Sequence, residues 1–436
     1  MNDTSASSTL LAHIVCFTLI LVLVGFGAAP LADARTVTVL NPAGIRADGV
    51  FVDHLLKASM TQNGLKRPRL AADFPRQRAE EVEIRDDEFS TINTLFYHRG
   101  WTDGLPIVPP TPERVARMLK GADLSSEFVI TSLDPIGGKA TIEKIAVNAV
   151  MAGCLPAHLP LLIAAVEAAS RPEFDLRGVM TTTNPDAPLL IVSGPFVKDL
   201  GINSGTNSFG RGYRANTTIS RAFHLILQNI GGSWPGVTDM STMGQPGEIV
   251  MLFAENAEAN PWEPIHQAMG LPAAANAVTL ISAESFSGIL GIGQTRQGYL
   301  NLIASWMKGH DRPYRPDLVI VIAQDTAQML AQEGWTKKSI EAYLRDEAKV
   351  PFKEFKEQFV DTNMASINRG VPAWAFKVED PEQLIDKPFV DRFLIVVAGG
   401  TGEKSMIIPG WTNGKAICTE VRLPANWKEL TAESRE

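Results

Sequence analysis

The chain has 436 residues, of which 45% are hydrophobic and 20% charged, and its formal net charge is -8 at pH 7. This composition is typical of a globular protein, and the length suits two domains or one large domain with lobes. The negative charge gives no electrostatic basis for binding nucleic acid. Three cysteines, none in a C-x-x-C pair, exclude a disulfide framework.

Residues 1–34 contain a mostly apolar stretch, residues 9–29, that is long enough to cross a bilayer. The Ala-Asp-Ala tripeptide at 32–34 resembles a signal-peptidase site. A secretory signal also requires positive charge before its apolar stretch, but no Lys or Arg precedes this one. Arg35 and Arg46 follow it, which would keep the main domain of an anchored protein cytoplasmic. Three alternatives therefore remain: an exported, periplasmic protein, a membrane anchor with a cytoplasmic domain, or a mis-assigned start on a soluble cytoplasmic protein.

Residues 35–90 begin with a short strand and continue as a charged surface arm. Beyond them, apolar runs alternate with helical patterns whose starts carry capping residues, such as Thr111 before Pro112 and Thr141 before Ile142. Strands are predicted at 126–132, 178–183, 188–193, 249–254, 278–281, 317–323 and 393–397, with a final hairpin of 406–408 and 416–421. Helices are predicted at 92–101, 112–120, 142–152, 156–169, from about 217, and at 296–308, 325–333 and 337–348.

The alternation of strands and helices predicts an α/β fold: a two-lobed core of mixed, mainly parallel sheets with covering helices. Residues 91–270 would form the first lobe, residues 271–425 the second, and residues 426–436 a tail. A strand followed by a glycine-rich loop occurs at 189–205 and again at 393–405. Strand and helix pairs also recur near 142–169 and 317–348. The sequence therefore predicts an internal duplication, with a ligand cleft between the lobes.

A polar, glycine-broken loop at 203–216 follows an apolar strand and ends where a helix begins. Exposed amides and the positive end of a helix favour an anion, and two arginines add full charges. A glycine turn after residue 397 resembles a second anion cradle. We predict a small anionic ligand held by Asn203, Ser204, Asn207, Arg211, Arg214, Asn216, Gly399 and Gly400. The alternative is an ordered surface loop with solvated arginines, since no phosphate-binding fingerprint is present.

Cys154 is the leading candidate for a reactive side chain. It lies between two predicted helices, just before Pro156, where a helix dipole would lower the pKa of a thiol. His158 is four residues further along. We predict a nucleophilic or redox thiol at Cys154, with His158 beside it. The alternative is that Cys154 is a small buried hydrophobe in a helix hairpin.

A loop with carboxylates and one imidazole, residues 255–266, is a second candidate for chemistry. Glu255 and His266 would act as proton carriers, or the loop would bind a hard metal; the alternative is a solvated acidic loop. No zinc-protease or serine-hydrolase motif occurs, so the sequence requires no cofactor and specifies no metal ligands. His224, inside a helix, is predicted to be structural, and Asp103 either lines a pocket or belongs to a rigid loop.

Four stretches together resemble a widespread but poorly characterised bacterial family. They are WTDGLPIVPPTPERV (101–115), NAVMAGCLPAHLPLLIAAVEA (148–168), GINSGTNSFGRGYRANTTISRA (201–222) and ENAEANPWEPIH (255–266). Members of this family lie beside, or are fused to, small proteins with a Cys-Gly-Ser-Cys or selenocysteine-Gly-Ser-Cys motif. The resemblance covers roughly residues 90–425 and implies a thiol- or selenol-linked enzyme whose partner protein supplies the second redox residue. This chain lacks the Cys-Gly-Ser-Cys motif.

The leading hypothesis is an enzyme with lyase or oxidoreductase chemistry at Cys154, acting on a small anion in a cleft between two lobes. One alternative is an exported solute-binding protein without catalysis. Another is a metal-assisted hydrolase or lyase that uses the 255–266 loop.

Overall fold

The structure is a computed structural model that describes residues 35–43, 78–85, 87–310, 317–361, 373–386, 390–411 and 414–433. The apolar stretch 9–29 and most of the predicted surface arm lie outside these residues. Within the described part, no helix is both long and apolar enough to cross a membrane.

The described residues form strands β1 to β14 and α-helices α1 to α13, each numbered in chain order. The strands are Arg35–Leu40, Ala79–Ile84, Val129–Leu133, Gly138–Thr141, Ala187–Ser193, Leu252–Ala254, Ala277–Ala283, Ser287–Leu290, Asp317–Ile322, Lys349–Pro351, Leu384–Asp386, Arg392–Val397, Lys404–Pro409 and Ile417–Glu420. The helices are Glu88–His98, Pro112–Leu119, Ile142–Ala152, Leu159–Ala169, Leu176–Val179, Phe196–Asp199, Arg214–Ile226, Ile265–Ala268, Arg296–Gly309, Gln324–Gln332, Lys337–Glu347, Phe352–Phe355 and Trp427–Glu433.

Local signals in the sequence explain most of these boundaries. The Thr141 hydroxyl caps α3 by accepting a hydrogen bond from the Lys144 amide at 3.2 Å, and Gly153 ends the same helix at φ 84°. The strand predicted at 178–183 is wrong. Residues Leu176–Val179 form a helical turn instead, because the Asp175 carboxylate accepts a hydrogen bond from the Gly178 amide at 3.2 Å.

Two four-stranded sheets form the centre of the molecule, with strand orders β14-β7-β5-β6 and β12-β9-β13-β8. These are called the first and the second sheet. In each, one pair is parallel, β5 with β6 or β9 with β12, and the other pairs are antiparallel. The α/β class with mixed sheets is confirmed. Antiparallel pairs outnumber parallel ones, unlike the prediction, because β7, β8, β13 and β14 each run opposite to every strand with which they pair.

The pairing pattern of the first sheet recurs in the second, which supports the predicted duplication. The central strands β5 and β9 each have a parallel neighbour on one side and an antiparallel one, β7 or β13, on the other. The fourth strand is exchanged: β8 follows β7 but pairs with β13, whereas β14 follows β13 but pairs with β7.

This exchange corrects two expectations. The final hairpin is absent from the described residues, because β13 and β14 belong to different sheets. The repeat also relates other strands than predicted. The sequence paired β5 with β12, whereas in the structure β5 has the same place in its sheet as the central strand β9. The predicted boundary between the lobes at residue 270 does not separate the two sheets. Strand β7 lies beyond it and yet belongs to the first sheet, so each sheet draws on strands from distant parts of the chain.

The two sheets pack face to face with helices on both outer sides. Alternate residues of β5 and β9, such as Ile191 and Val319, share a core between the sheets. The intervening residues, such as Leu190 and Ile320, pack against helices instead. Both central strands are therefore buried along their whole length, which explains their continuous apolar sequences. Truncating Ile191 to Ala would cost about 2–5 kcal/mol of stability.

Candidate functional site

The loop 203–216 and the glycine turn after β12 lie together, as the anion-site prediction requires. The Gly399 amide donates a hydrogen bond to the Ser204 carbonyl at 2.9 Å. A Cβ added at Gly400 would lie 2.2 Å from the Thr206 hydroxyl oxygen. The glycine is therefore explained by the close packing of the two loops.

The asparagine side chains of this loop bind the loop's own backbone. The Asn216 side chain accepts a hydrogen bond from the Asn203 amide at 2.8 Å and donates one to the Asn203 carbonyl at 3.0 Å. The Asn207 side chain donates to the Arg211 carbonyl at 2.9 Å. These amide groups fix the shape of the loop, and the Arg211 side chain is exposed beside it. Ligand binding by these residues stays a prediction.

Cys154 lies close to the start of α7 but is not activated. Its Sγ donates a hydrogen bond to the Thr218 carbonyl at 3.2 Å, and the Arg214 guanidinium donates to the preceding Gly153 carbonyl at 3.0 Å. Cys154 is only 7% exposed. Burial raises its pKa to about 12, although the Thr218 side chain and the charges of Arg214 and Arg221 act in the opposite direction. The thiol is therefore protonated at neutral pH, contrary to the expected lowering of its pKa.

His158 uses one ring nitrogen to cap the turn that follows Cys154. Its Nδ1 accepts a hydrogen bond from the Leu155 amide at 3.2 Å, which assigns the proton of the neutral ring to Nε2. Burial, with a smaller contribution from the charge of Arg214, lowers the pKa of His158 to about 3. The imidazole is therefore neutral and held in one tautomer.

The residues predicted in the 255–266 loop are buried and hydrogen-bonded. His266 Nε2 lies 3.2 Å from the Ala273 carbonyl and Nδ1 lies 2.9 Å from the Ser193 hydroxyl. A carbonyl only accepts, so Nε2 carries the proton and Nδ1 accepts from Ser193. Both ring nitrogens thus have partners inside the fold.

Glu255 orders the same loop. Its two oxygens accept hydrogen bonds from the Asn260 side chain at 3.0 Å and from the Ile265 amide at 2.9 Å. Burial raises its pKa to about 7, against the effect of the Lys337 charge. Among the described residues, no group of three or more His, Cys, Asp or Glu side chains is arranged to hold a metal ion.

A cavity of about 280 Å³ brings together titratable side chains that the sequence did not connect with one another. It lies beside the start of β5, between α7, the turn at 100–104 and the connection from α7 to β6. Its polar and aromatic wall residues include Asp103, Asp186, His224, Trp234, Asp239 and Glu248. It is called the Asp186 cavity below.

Asp186 is the most unusual group on this wall. It is 6% exposed, and neither carboxylate oxygen accepts a hydrogen bond of ordinary geometry from any described residue. Burial raises its pKa well above the usual value, and the charges of Glu284 and Glu248 raise it further. The Ser282 side chain and the Ala187 amide are near enough to oppose this rise but do not cancel it. Buried carboxyl groups without such partners are rare in native proteins.

His224 faces the same cavity from the middle of α7. It is 9% exposed, and its Nε2 has no hydrogen-bond partner among the described residues. Burial lowers its pKa to about 4, whereas the charge of Asp103 and the Pro188 carbonyl act in the opposite direction. His224 is therefore neutral at pH 7 and its Nε2 is available.

Other polar side chains hold the wall in place. Asp103 forms a two-point ion pair with Arg221, at 2.7 and 2.8 Å. The Gln228 side chain donates to the Gly100 and Thr102 carbonyls at 2.8 and 2.9 Å. Asp103 thus lines a cavity and also belongs to a loop held in place by an ion pair, so both alternatives given for it are observed. The arrangement provides a preformed polar site.

No model of a known protein family and no curated protein sequence matches this chain. The assignment of a function therefore depends on the site itself.

Proposed function

We propose that this chain is an enzyme that transfers a proton to or from a small molecule bound in the Asp186 cavity. The observation that carries the proposal is the pair of buried groups Asp186 and His224 on one wall, with pKa values shifted in opposite directions. Titratable groups whose environments separate their pKa values are typical acid and base pairs of active sites.

The two groups suit complementary roles. Before a ligand binds, the Asp186 carboxyl group retains a proton at neutral pH, because burial and the neighbouring carboxylates disfavour its ionised form. It can pass this proton to the ligand, or release it when the ligand binds and then accept a proton as a base. The neutral His224 ring offers Nε2 as an acceptor or a hydrogen-bonding group. A cavity of about 280 Å³ lies at the lower end of ligand-pocket sizes and suits a metabolite.

Thiol chemistry at Cys154 stays a prediction, and it requires a change in the surroundings of that residue. Because Cys154 is protonated at rest, lyase or oxidoreductase chemistry there would need a base or a rearrangement that exposes the thiol. The thiol- or selenol-containing partner protein, the small anionic substrate and an exported location are likewise predictions.

Incubation with a mixture of small metabolites, followed by mass spectrometry of what is consumed, tests the proposal. The wild-type protein is expected to consume a compound that Asp186→Asn and His224→Gln consume at least about 100-fold more slowly. Glu258→Gln, which removes an exposed carboxylate, is the matched control, and Cys154→Ala tests the thiol.

Three results would contradict the proposal. Consumption that survives both cavity variants but is lost in Cys154→Ala would assign the chemistry to the thiol. Consumption that survives all three variants would place it elsewhere. No consumption by the wild-type protein would favour the alternative of a solute-binding protein without catalysis.

A further inference from the structure

The wall of the Asp186 cavity is acidic. Four of its residues are carboxylic acids, Asp103, Asp186, Asp239 and Glu248, and none of the described residues that line it is Lys or Arg. The Arg221 guanidinium lies close by, but its two hydrogen bonds to Asp103 neutralise that carboxylate only. Burial raises the pKa of Asp239 and of Glu248 as well. The surroundings of this wall therefore disfavour the ionised forms of its carboxyl groups, and its described lining residues include no positively charged side chain.

The second sheet shows how the fold neutralises a carboxylate at a similar place. Asp317 is the first residue of β9, as Asp186 immediately precedes β5, and both are preceded by proline. Asp317 is 0% exposed, yet its Oδ1 accepts a hydrogen bond from Arg392 Nε at 2.9 Å. Arg392 begins the parallel neighbour β12 and pairs with Asp317 in the register of the sheet.

In the first sheet the comparable neighbour is an acid. The connection that enters β6, the parallel partner of β5, brings Glu248 near Asp186, and the end of β7 brings Glu284. Glu284 accepts a hydrogen bond from the Asn184 side chain at 2.7 Å. Among the residues that the structure describes, the first sheet thus repeats the buried aspartate of the second without a guanidinium hydrogen-bonded to it.

We infer that the Asp186 cavity binds a small organic cation, an amine or guanidinium compound, whose charged group takes at Asp186 the place that the Arg392 side chain takes at Asp317. Such a group would donate hydrogen bonds to the Asp186 oxygens, which accept none of ordinary geometry from the described residues, and would offset the nearby charge of Glu248. Tyr97 and Trp234 also line the cavity, and aromatic rings attract cations. This inference rests on the proposed function for the choice of site, and it concerns a different place from the anion site predicted at residues 203–216.

Three probes of equal length but different charge test the inference: 1,5-diaminopentane, 1,5-pentanediol and glutarate. Their binding to the whole chain is measured by titration calorimetry. We expect the diamine to bind at least about tenfold more tightly than the diol, and glutarate not to bind. Asp186→Asn and Glu248→Gln should each weaken diamine binding about tenfold or more, whereas the exposed control Glu258→Gln should not change it.

Several results would overturn the inference. One is that glutarate or the diol binds as tightly as the diamine. Another is that the diamine does not bind at all, and a third is that it binds but neither cavity variant weakens its binding. Binding of Mg²⁺ that displaces the diamine would assign the site to a metal ion and would overturn it too.

The outcomes also separate this inference from the proposed function. Selective diamine binding without consumption of any metabolite would support the ligand class and contradict proton transfer. Consumption of an anionic compound that depends on Asp186 and His224 would support proton transfer and contradict the ligand class.

Discussion

Asp186 and Asp317 are buried aspartates at the starts of the central strands of the two sheets, and their surroundings differ. Asp317 accepts hydrogen bonds from Arg392 and, at 2.6 Å, from the Ala416 amide. Asp186 has no hydrogen bond of ordinary geometry from the described residues, and carboxylates lie near it.

The comparison supports the proposal that a buried aspartate has a structural role in one sheet and belongs to a ligand site in the other. A buried carboxylate is stable only when its charge is paired and its oxygens are hydrogen-bonded. The second sheet meets this requirement internally. In the first sheet the described residues do not meet this requirement at Asp186, and we propose that a ligand does.

The largest expected effect comes from removing the internal cation. Arg392→Ala leaves Asp317 buried without its ion pair, so the free energy of unfolding should fall by about 3 kcal/mol. Urea denaturation measures this change. Arg177→Ala is the control, because its ion pair with Asp134 is exposed and should contribute less than about 1 kcal/mol. Equal, small losses in both variants would show that Asp317 does not depend on Arg392.

The same substitution at the two aspartates should act in opposite directions. The pKa of Asp186 in the folded protein lies above its unfolded value of about 3.8. Above that unfolded pKa the native state binds more protons than the unfolded state, so stability falls as pH rises. Asp186→Asn removes this loss and should stabilise the protein by about 1–3 kcal/mol near pH 7 but hardly near pH 4.

Asp317→Asn, by contrast, should destabilise the protein by about 1.5–3 kcal/mol near pH 7, because it weakens hydrogen bonds to a charged partner. Denaturant unfolding at both pH values compares the two variants. Destabilisation by both, or a benefit of Asp186→Asn that is the same at both pH values, would contradict the comparison.

The smallest effect tests the repulsion at Asp186. Glu284→Gln removes a charge while keeping an oxygen that can accept from Asn184. The pKa of Asp186 should fall towards its usual value, so the stability should fall less steeply as the pH rises from 4 to 7. The same pH series measures this shift, and an unchanged curve would mean that the Glu284 charge does not act on Asp186.

The elements of the fold were largely predictable because their signals are local. Thr141 and Gly153 define the ends of α3, and the apolar run of β5 shows that it is covered on both faces. Strand pairing was not predictable in the same way, since β8 and β14 pair with strands far away in the chain. The strand predicted at 178–183 failed because one carboxylate, Asp175, stabilises a helical turn there.

The site was less predictable than the fold. The sequence indicated Asp103, and it correctly joined the 203–216 loop to the turn at Gly399. It did not single out Asp186 or the role of His224, because what matters is which partners are missing around a buried group. A proline-aspartate pair at the start of each central strand was a local hint. It does not reveal that Arg392 forms an ion pair with Asp317 and not with Asp186.

The most direct test of the central claim is the number of protons released when 1,5-diaminopentane binds. Calorimetry near pH 6.5 in two buffers of different ionisation enthalpy gives this number. A cation at Asp186 should ionise the carboxyl group, so the wild-type protein should release up to about one proton per diamine and Asp186→Asn none. Diamine binding without proton release, or the same release from Asp186→Asn, would contradict the account.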